Sequence, residues 1–117
     1  MGKAGLDMLT KSTALELAPF GIRVNAVAPS FLQTNLYRRV RNMTEPMLDS
    51  LKKRVKKNIP MARIGMISEV SKAIIFLTSS SAKNITGHVM SVDGGKALTS
   101  RGQNDWFGMR YMNRKFE

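Results

Sequence analysis

The chain has 117 residues, 43% of them hydrophobic and 23% charged, with 19 Lys and Arg against 8 Asp and Glu for a net charge of +11. That length suits one small domain or part of a larger one, and the composition excludes collagen-like, low-complexity and wholly disordered chains. With no cysteine, disulfide frameworks, iron–sulfur clusters and thiolate zinc sites are excluded, and a single histidine, His88, argues against a histidine metal centre.

No run approaches the roughly eighteen apolar residues that a membrane span requires. The start, Met1-Gly2-Lys3-Ala4-Gly5-Leu6-Asp7, lacks the apolar stretch of a secretory signal, and Asp7 departs from the myristoylation pattern. An intracellular protein is expected. The positive charge is concentrated: residues 35–63 hold nine basic residues against two acidic ones, Glu45 and Asp49, a local excess of +7. No helix-turn-helix, RNP-type or zinc-finger pattern accompanies it. A solvated basic face, or a patch docked on acidic protein, is therefore expected rather than a nucleic-acid site.

In chain order, Leu6, Leu9, Thr13 and Leu17 recur at three- and four-residue spacing beside Ala14 and Ala18, which predicts a helix over residues 2–18. Pro19 and Gly21 end it. Residues 22–28 form a strand candidate with Ile22, Val24, Ala26 and Ala28 on one side, closed by Pro29. Helix, short turn and buried strand is the αβ connection of a parallel sheet. Residues 30–60 read as a mobile excursion. It contains a helical stretch over residues 46–57 whose apolar stripe is Met47, Leu48, Leu51 and Val55, with Lys52, Lys53, Lys56 and Lys57 facing outward. Ser68 is an N-cap candidate for a helix over residues 69–79 that buries Val70, Ala73, Ile74 and Leu77. Residues 88–92 are a second buried strand, ended by the turn Asp93-Gly94-Gly95. There is no internal repeat. Two strands do not make a stable sheet alone, so the order fits the end of a larger α/β domain.

Several ordered motifs carry a resemblance. Lys3-Ala4-Gly5-Leu6, Leu15-Glu16-Leu17-Ala18 and the run from Gly21 to Pro29 come first, then Arg63-Ile64-Gly65, Glu69-Val70, Phe76-Leu77, Ile85-Thr86-Gly87 and Val92-Asp93-Gly94-Gly95. Over residues 1–99 this is similar to the classical short-chain dehydrogenase/reductase family. The resemblance implies an α/β fold: the carboxy-terminal part of a Rossmann-type doubly wound parallel sheet, with two strands, flanking helices and a lid insertion at residues 35–58. It implies NAD or NADP as cofactor and hydride transfer between carbonyl and alcohol. It also implies that the chain is the carboxy-terminal half of such an enzyme. The family's glycine-rich dinucleotide loop and its catalytic serine and tyrosine are not found in this sequence.

By the same resemblance, Lys3 matches the lysine that follows the catalytic tyrosine by four residues. An ammonium one helical turn from a phenol favours the phenolate, lowering a pKa that is otherwise about 10, and can also hold the nicotinamide ribose hydroxyls. Pro29-Ser30-Phe31-Leu32-Gln33-Thr34 resembles the loop after the sixth strand, where the backbone of Leu32 and the hydroxyl of Thr34 would meet the nicotinamide carboxamide. Pro29, Leu32, Thr34 and Lys3 are thus the cofactor-binding candidates. Ser30 stands where the family usually has glycine, which would tighten the backbone if a positive φ were needed. A second reading of Thr34, that it caps the first helix of the insertion, is compatible with the first. Asp93-Gly94-Gly95 is read as architectural, and His88 as a hydrogen-bonded or surface residue.

Residues 100–117 depart from the family. Trp106, Met109, Asn113 and Phe116 fall on one helical face, so the tail is expected either to contact protein or to pack on its own domain. Two functions stand at this stage. The chain is part of an NAD(P)-dependent oxidoreductase, or it is a truncated, non-catalytic member acting as a structural or assembly subunit. In both, protein partners are expected: the missing half of the fold, a homo-oligomer or a larger complex. Neither nucleic acid nor a membrane span is expected.

Overall fold

A computed structural model describes residues 2–99; the side chains of Lys3, Val40 and Arg41 and the whole of the tail read for residues 100–117 lie outside that description. The chain divides into two compact units. The first consists of the described residues up to Pro29 together with Ser68–Val92, and the second of Ser30–Ile67 with the described residues from Asp93 onward.

The first unit opens with α1 (Gly2–Leu17), continued by a 3-10 turn at Ala18–Phe20 that accommodates Pro19. Gly21 takes a φ of 71°, and the N–H groups of Gly21 and Ile22 donate to the carbonyls of Ala18 and Leu17, closing the helix end. The buried stripe of α1 is not the expected leucine stripe. Thr10 and Ala14 are buried, whereas Leu6 and Leu9 are exposed. Small side chains win because Gly87 approaches α1 closely: a Cβ on Gly87 would lie 3.5 Å from the Cβ of Ala14. The hydroxyl of Thr10 donates to the Leu6 carbonyl at 2.9 Å, so its burial leaves no polar atom unsatisfied.

Strands β1 (Ala26–Pro29) and β2 (Val89–Val92) pair in parallel, with Ala26 opposite Val89 and Pro29 opposite Val92. β1 begins four residues later than the alternation predicts. Before Ala26, the backbone is bonded to a bent segment instead of a ladder. The Val24 N–H donates to the Thr86 hydroxyl, the Gly87 N–H to the Val24 carbonyl, and the His88 N–H to Asn25 Oδ1. The bend at Gly87, with φ 70°, interrupts regular pairing and leaves Ile22 exposed. The second edge of β1 has no partner strand among the described residues.

Helix α4 (Ile67–Thr78) starts before Ser68, which therefore lies inside the first turn and is not its N-cap. It buries Leu77 and half-buries Val70 and Ala73; Ile74, expected on the same face, is 48% exposed. The end of α4 is tied by Arg23. Its Nη1 donates to the carbonyls of Leu77 (2.6 Å) and Ile85 (3.2 Å), and its Nη2 to that of Ser79 (3.4 Å). A guanidinium thus supplies donors to carbonyls that a helix terminus leaves unpaired, at the end where a cation suits the dipole.

The second unit holds α2 (Leu36–Arg41) and α3 (Glu45–Lys57). Asn42 ends α2 in the left-handed region, at φ 46°. In α3, Pro46 and Glu45 occupy the first turn and Arg54, Lys56 and Lys57 the last, the charge order that the helix dipole favours. Arg38 and Glu45 form an exposed ion pair. Leu48 and Val55 are buried as the stripe predicts, Leu51 is half-buried, and Met47 is exposed. Ile59 follows α3 and is the largest fully buried side chain among the described residues.

The Asp93-Gly94-Gly95 turn packs on this segment. The Met61 N–H donates to the Gly94 carbonyl, and both glycines have positive φ, 63° and 87°. Asp93 Oδ1 and Oδ2 accept the N–H groups of Gly95 (2.9 Å) and Ala97 (2.7 Å). Both carboxylate oxygens of Asp93 are thus occupied in shaping a turn, as an architectural role requires.

Candidate functional site

Within the second unit, the segment following β1 and the two excursion helices enclose a cavity of about 370 Å³. The segment from Phe31 to Asn35 forms one side of its lining. Tyr37 and Arg38 come from α2, Leu48, Leu51, Lys52 and Val55 from α3, and Ile64 and Ile67 complete it. The lining is mostly apolar with a few polar groups, the usual constitution of a small-molecule site of roughly 300–1,000 Å³. Phe31 and Tyr37 stack with ring centroids 5.9 Å apart and planes 16° apart, fixing the start of α2 over the loop.

Leu32 forms a parallel bridge with Gly65. The Gly65 N–H donates to the Phe31 carbonyl (3.0 Å), and the Gln33 N–H donates to the Gly65 carbonyl (2.9 Å). In such a bridge the peptide groups of the central residue point the other way. The N–H and C=O of Leu32 therefore face away from Gly65, and neither has a hydrogen-bond partner among the described residues. One unspent donor and one unspent acceptor stand together on a rigid backbone.

Thr34 lies in the same lining, and its Oγ1 accepts the N–H of Leu36, the first residue of α2, at 3.3 Å. The N-cap of α2 is Asn35, so this contact is a turn that leads into the helix and not the cap expected of Thr34. A hydroxyl keeps its own proton to donate while accepting a bond, so the contact leaves Thr34 a free donor. Ser30 does not occupy the left-handed region; among the described non-glycine residues only Asn42 and Ala62 do. The glycine usual at this place in the family is thus not demanded by the backbone, and the Ser30 hydroxyl donates to the Asp93 carbonyl at 3.3 Å.

Pro29 is the last residue of β1, where a missing N–H removes nothing from the ladder beyond it. Lys3 lies in the first turn of α1; its side chain is outside the described residues. The structure thus brings Leu32 and Thr34 together in one cavity. Lys52, expected to face outward with its neighbours, lines that cavity and is half-buried, while Lys53, Lys56 and Lys57 are exposed. Lys52 lies three residues after Asp49 and four after Leu48, at the edge of the apolar stripe, a position that spacing alone leaves ambiguous.

In the first unit, a wide groove of about 680 Å³ runs along β1 and α4, lined by Val24, Val27, Val70, Ile74 and Leu77 among others. It exposes aliphatic side chains beside a strand edge without a partner among the described residues.

Comparison with known proteins decides the family. The sequence pattern of the enoyl-(acyl carrier protein) reductase family matches residues 1–97. A short chain dehydrogenase family protein from Francisella tularensis superposes with a TM-score of 0.73 at 34% identity, covering 83% of this chain and 42% of that one. The chain belongs to the short-chain dehydrogenase/reductase family. It is 45% identical over 93 residues to a 3-oxoacyl-(acyl-carrier-protein) reductase of Staphylococcus aureus, and 41% identical over 95 residues to that of Chlamydia trachomatis. These alignments cover 80% and 81% of this chain but 35% and 36% of the relatives. The chain thus spans about a third of the length of the curated short-chain reductases that it matches. The observed parallel pair β1–β2 with flanking helices is a part of the α/β fold of this oxidoreductase family. Among the described residues, no helix is long and apolar enough to cross a membrane.

Proposed function

We propose that this chain is the carboxy-terminal part of an NAD(P)-dependent oxidoreductase that moves hydride between a nicotinamide cofactor and a carbonyl–alcohol pair. One observation carries the reading: Leu32, whose N–H and C=O are unspent, lines the same cavity as Thr34, whose hydroxyl keeps a proton to donate. A carboxamide needs an acceptor for its NH2 and donors for its oxygen, and these three groups are that set. The residues present fit the amide end of a nicotinamide; when bound, the cofactor supplies the hydride. Pro29 ends the strand so that the Leu32 loop leaves it at once.

Lys3, on the first turn of α1, takes the catalytic role that the family resemblance gives it. Its ammonium favours a phenolate on the neighbouring tyrosine and holds the ribose hydroxyls. That tyrosine, the serine and the dinucleotide loop belong to the part of the fold that this sequence does not contain. Residues 35–58 act as the lid, and its two helices keep water from the cavity when substrate is in place. Residues 1–99 serve as one carboxy-terminal part of the Rossmann domain, and residues 100–117 as a separate tail. The remaining sheet covers the aliphatic groove along β1, and a homo-oligomer covers the exposed leucines of α1. The carbonyl chemistry agrees with the names of the curated relatives, which reduce 3-oxoacyl groups.

The test is a chimera. The amino-terminal portion of the Staphylococcus aureus relative, joined ahead of this chain, is assayed for NADPH oxidation with a 3-oxo ester. Turnover is expected, with Lys3→Met lowering it about 10²- to 10⁴-fold, the range of acid–base catalysis. A folded chimera that binds NADPH but shows no turnover, or turnover indifferent to Lys3→Met, overturns the proposal.

A further inference from the structure

We infer that the substrate of this cavity is an amphiphilic anion, an apolar chain ending in a carboxylate or phosphate, and that Lys52 selects it. The inference rests on the proposed reading of the cavity as the substrate site. Its charged lining residues are Arg38 and Lys52, and no acidic residue lines it. Arg38 is already engaged, with its Nη2 2.6 Å from Glu45 Oε1. Lys52 is not: among the described residues no carboxylate lies within ion-pair distance of it. It is also the only one of the four α3 lysines that is half-buried, the other three being exposed.

An ammonium on the cavity wall without a carboxylate partner gains from an arriving anion a charge-assisted contact that a neutral ligand does not offer. The same lining offers Leu48, Leu51 and Val55, which suit an alkyl chain and donate nothing. A neutral apolar ligand would fill the same space and leave the ammonium unpaired. Lysine presents a point charge and not a planar fork, so carboxylate and phosphate headgroups are both served.

The test titrates the full chain, in the assembly in which it is isolated, with octanoate, octyl phosphate and 1-octanol by calorimetry. At least one of the two anions should bind about tenfold more tightly than 1-octanol, the value of one charge-assisted hydrogen bond, and the tighter one names the headgroup. Lys52→Gln should abolish that preference and leave octanol unchanged; Lys52→Arg should keep most of it, and Lys53→Gln all of it. Equal binding of anions and octanol by the unaltered chain, or no binding of either, overturns the inference before any variant is made. So does a preference that survives Lys52→Gln or disappears with Lys53→Gln. NADPH turnover of the chimera reports separately. Lost turnover with retained anion preference rejects the reductase and keeps the anion site; turnover without anion preference rejects the anion site alone.

Discussion

The Cβ that Gly94 lacks would stand 2.7 Å from Cγ2 of Ile59, the largest fully buried side chain among the described residues. The two residues come from the two chain segments of the second unit, and a backbone bond between Met61 and Gly94 holds the segments together. Gly94→Ala meets both a collision and a φ of 63°, so it should destabilise by about 1–3 kcal/mol. Gly5→Ala is the contrast, since nothing lies within 4 Å of its Cβ position and it sits in a helix. It should stabilise by about 0.5–1 kcal/mol. Urea titrations of the two variants check both signs.

Arg23→Met keeps the aliphatic stem but removes the donors to Leu77, Ser79 and Ile85. Leaving part-buried carbonyls unpaired should destabilise by about 1–3 kcal/mol. Hydrogen exchange locates the effect: amides near the end of α4 and in residues 79–86 should lose protection first. Arg23→Lys should not restore it, because an ammonium lacks the fork that reaches carbonyls from separate segments. Uniform loss of protection across α2 and α3 would contradict this.

The chain by itself should not bind a dinucleotide. Phosphate recognition in this family rests on a glycine-rich loop at a helix N-terminus, and no such loop is in the sequence. Leu32 and Thr34 offer contacts to the amide end only. Calorimetry with NADH and NADPH should show no micromolar binding, and micromolar binding would overturn this expectation.

Helices α1 and α4 should be covered by protein in the working assembly. Leu6, Leu9 and Leu15 on α1 and Ile74, Ile75 and Phe76 on α4 are exposed large apolar residues. Sedimentation velocity should find the isolated chain associated, and Leu9→Glu with Leu15→Glu should shift it toward smaller species. A monomer that melts in one sharp transition would contradict the prediction, since that requires a self-sufficient core.

The basic excursion should not be a nucleic-acid site. Binding through Lys52, Lys53, Lys56 and Lys57 would make log affinity fall with log salt by about one per phosphate neutralised. Filter binding at physiological salt should show no tight complex with duplex or single-stranded DNA, and one abolished by changing all four to Gln would reverse the reading.

Helix and strand order was legible because the signals are local. Pro19 with Gly21, the alternating run up to Pro29 and the glycine pair at 94 and 95 each act on their own backbone. The inward face of α1 was not, because Ala14 on that face is in contact with Gly87, far along the chain. The start of β1 departs from the alternation for a similar reason: Thr86 and Asn25 satisfy backbone groups that alternation assigns to a ladder. Of the site, Leu32 and Thr34 were found through motif resemblance. The free Leu32 peptide depends on its bridge to Gly65, and the inward turn of Lys52 on the shape of the cavity, neither of which spacing records.

The bonds from Arg23 and Asn25 that close the first unit join residues 54 to 63 positions apart. During synthesis, α1 and Arg23 leave the ribosome long before their carbonyl partners exist, so this unit completes only after the whole excursion has emerged. Loop closure grows slowly with length, about 0.6 kcal/mol for each doubling. The excursion can therefore lengthen or shorten with little penalty to the unit that brackets it. Residues 30–67 can diversify in length and sequence while the Arg23 fork stays as it is.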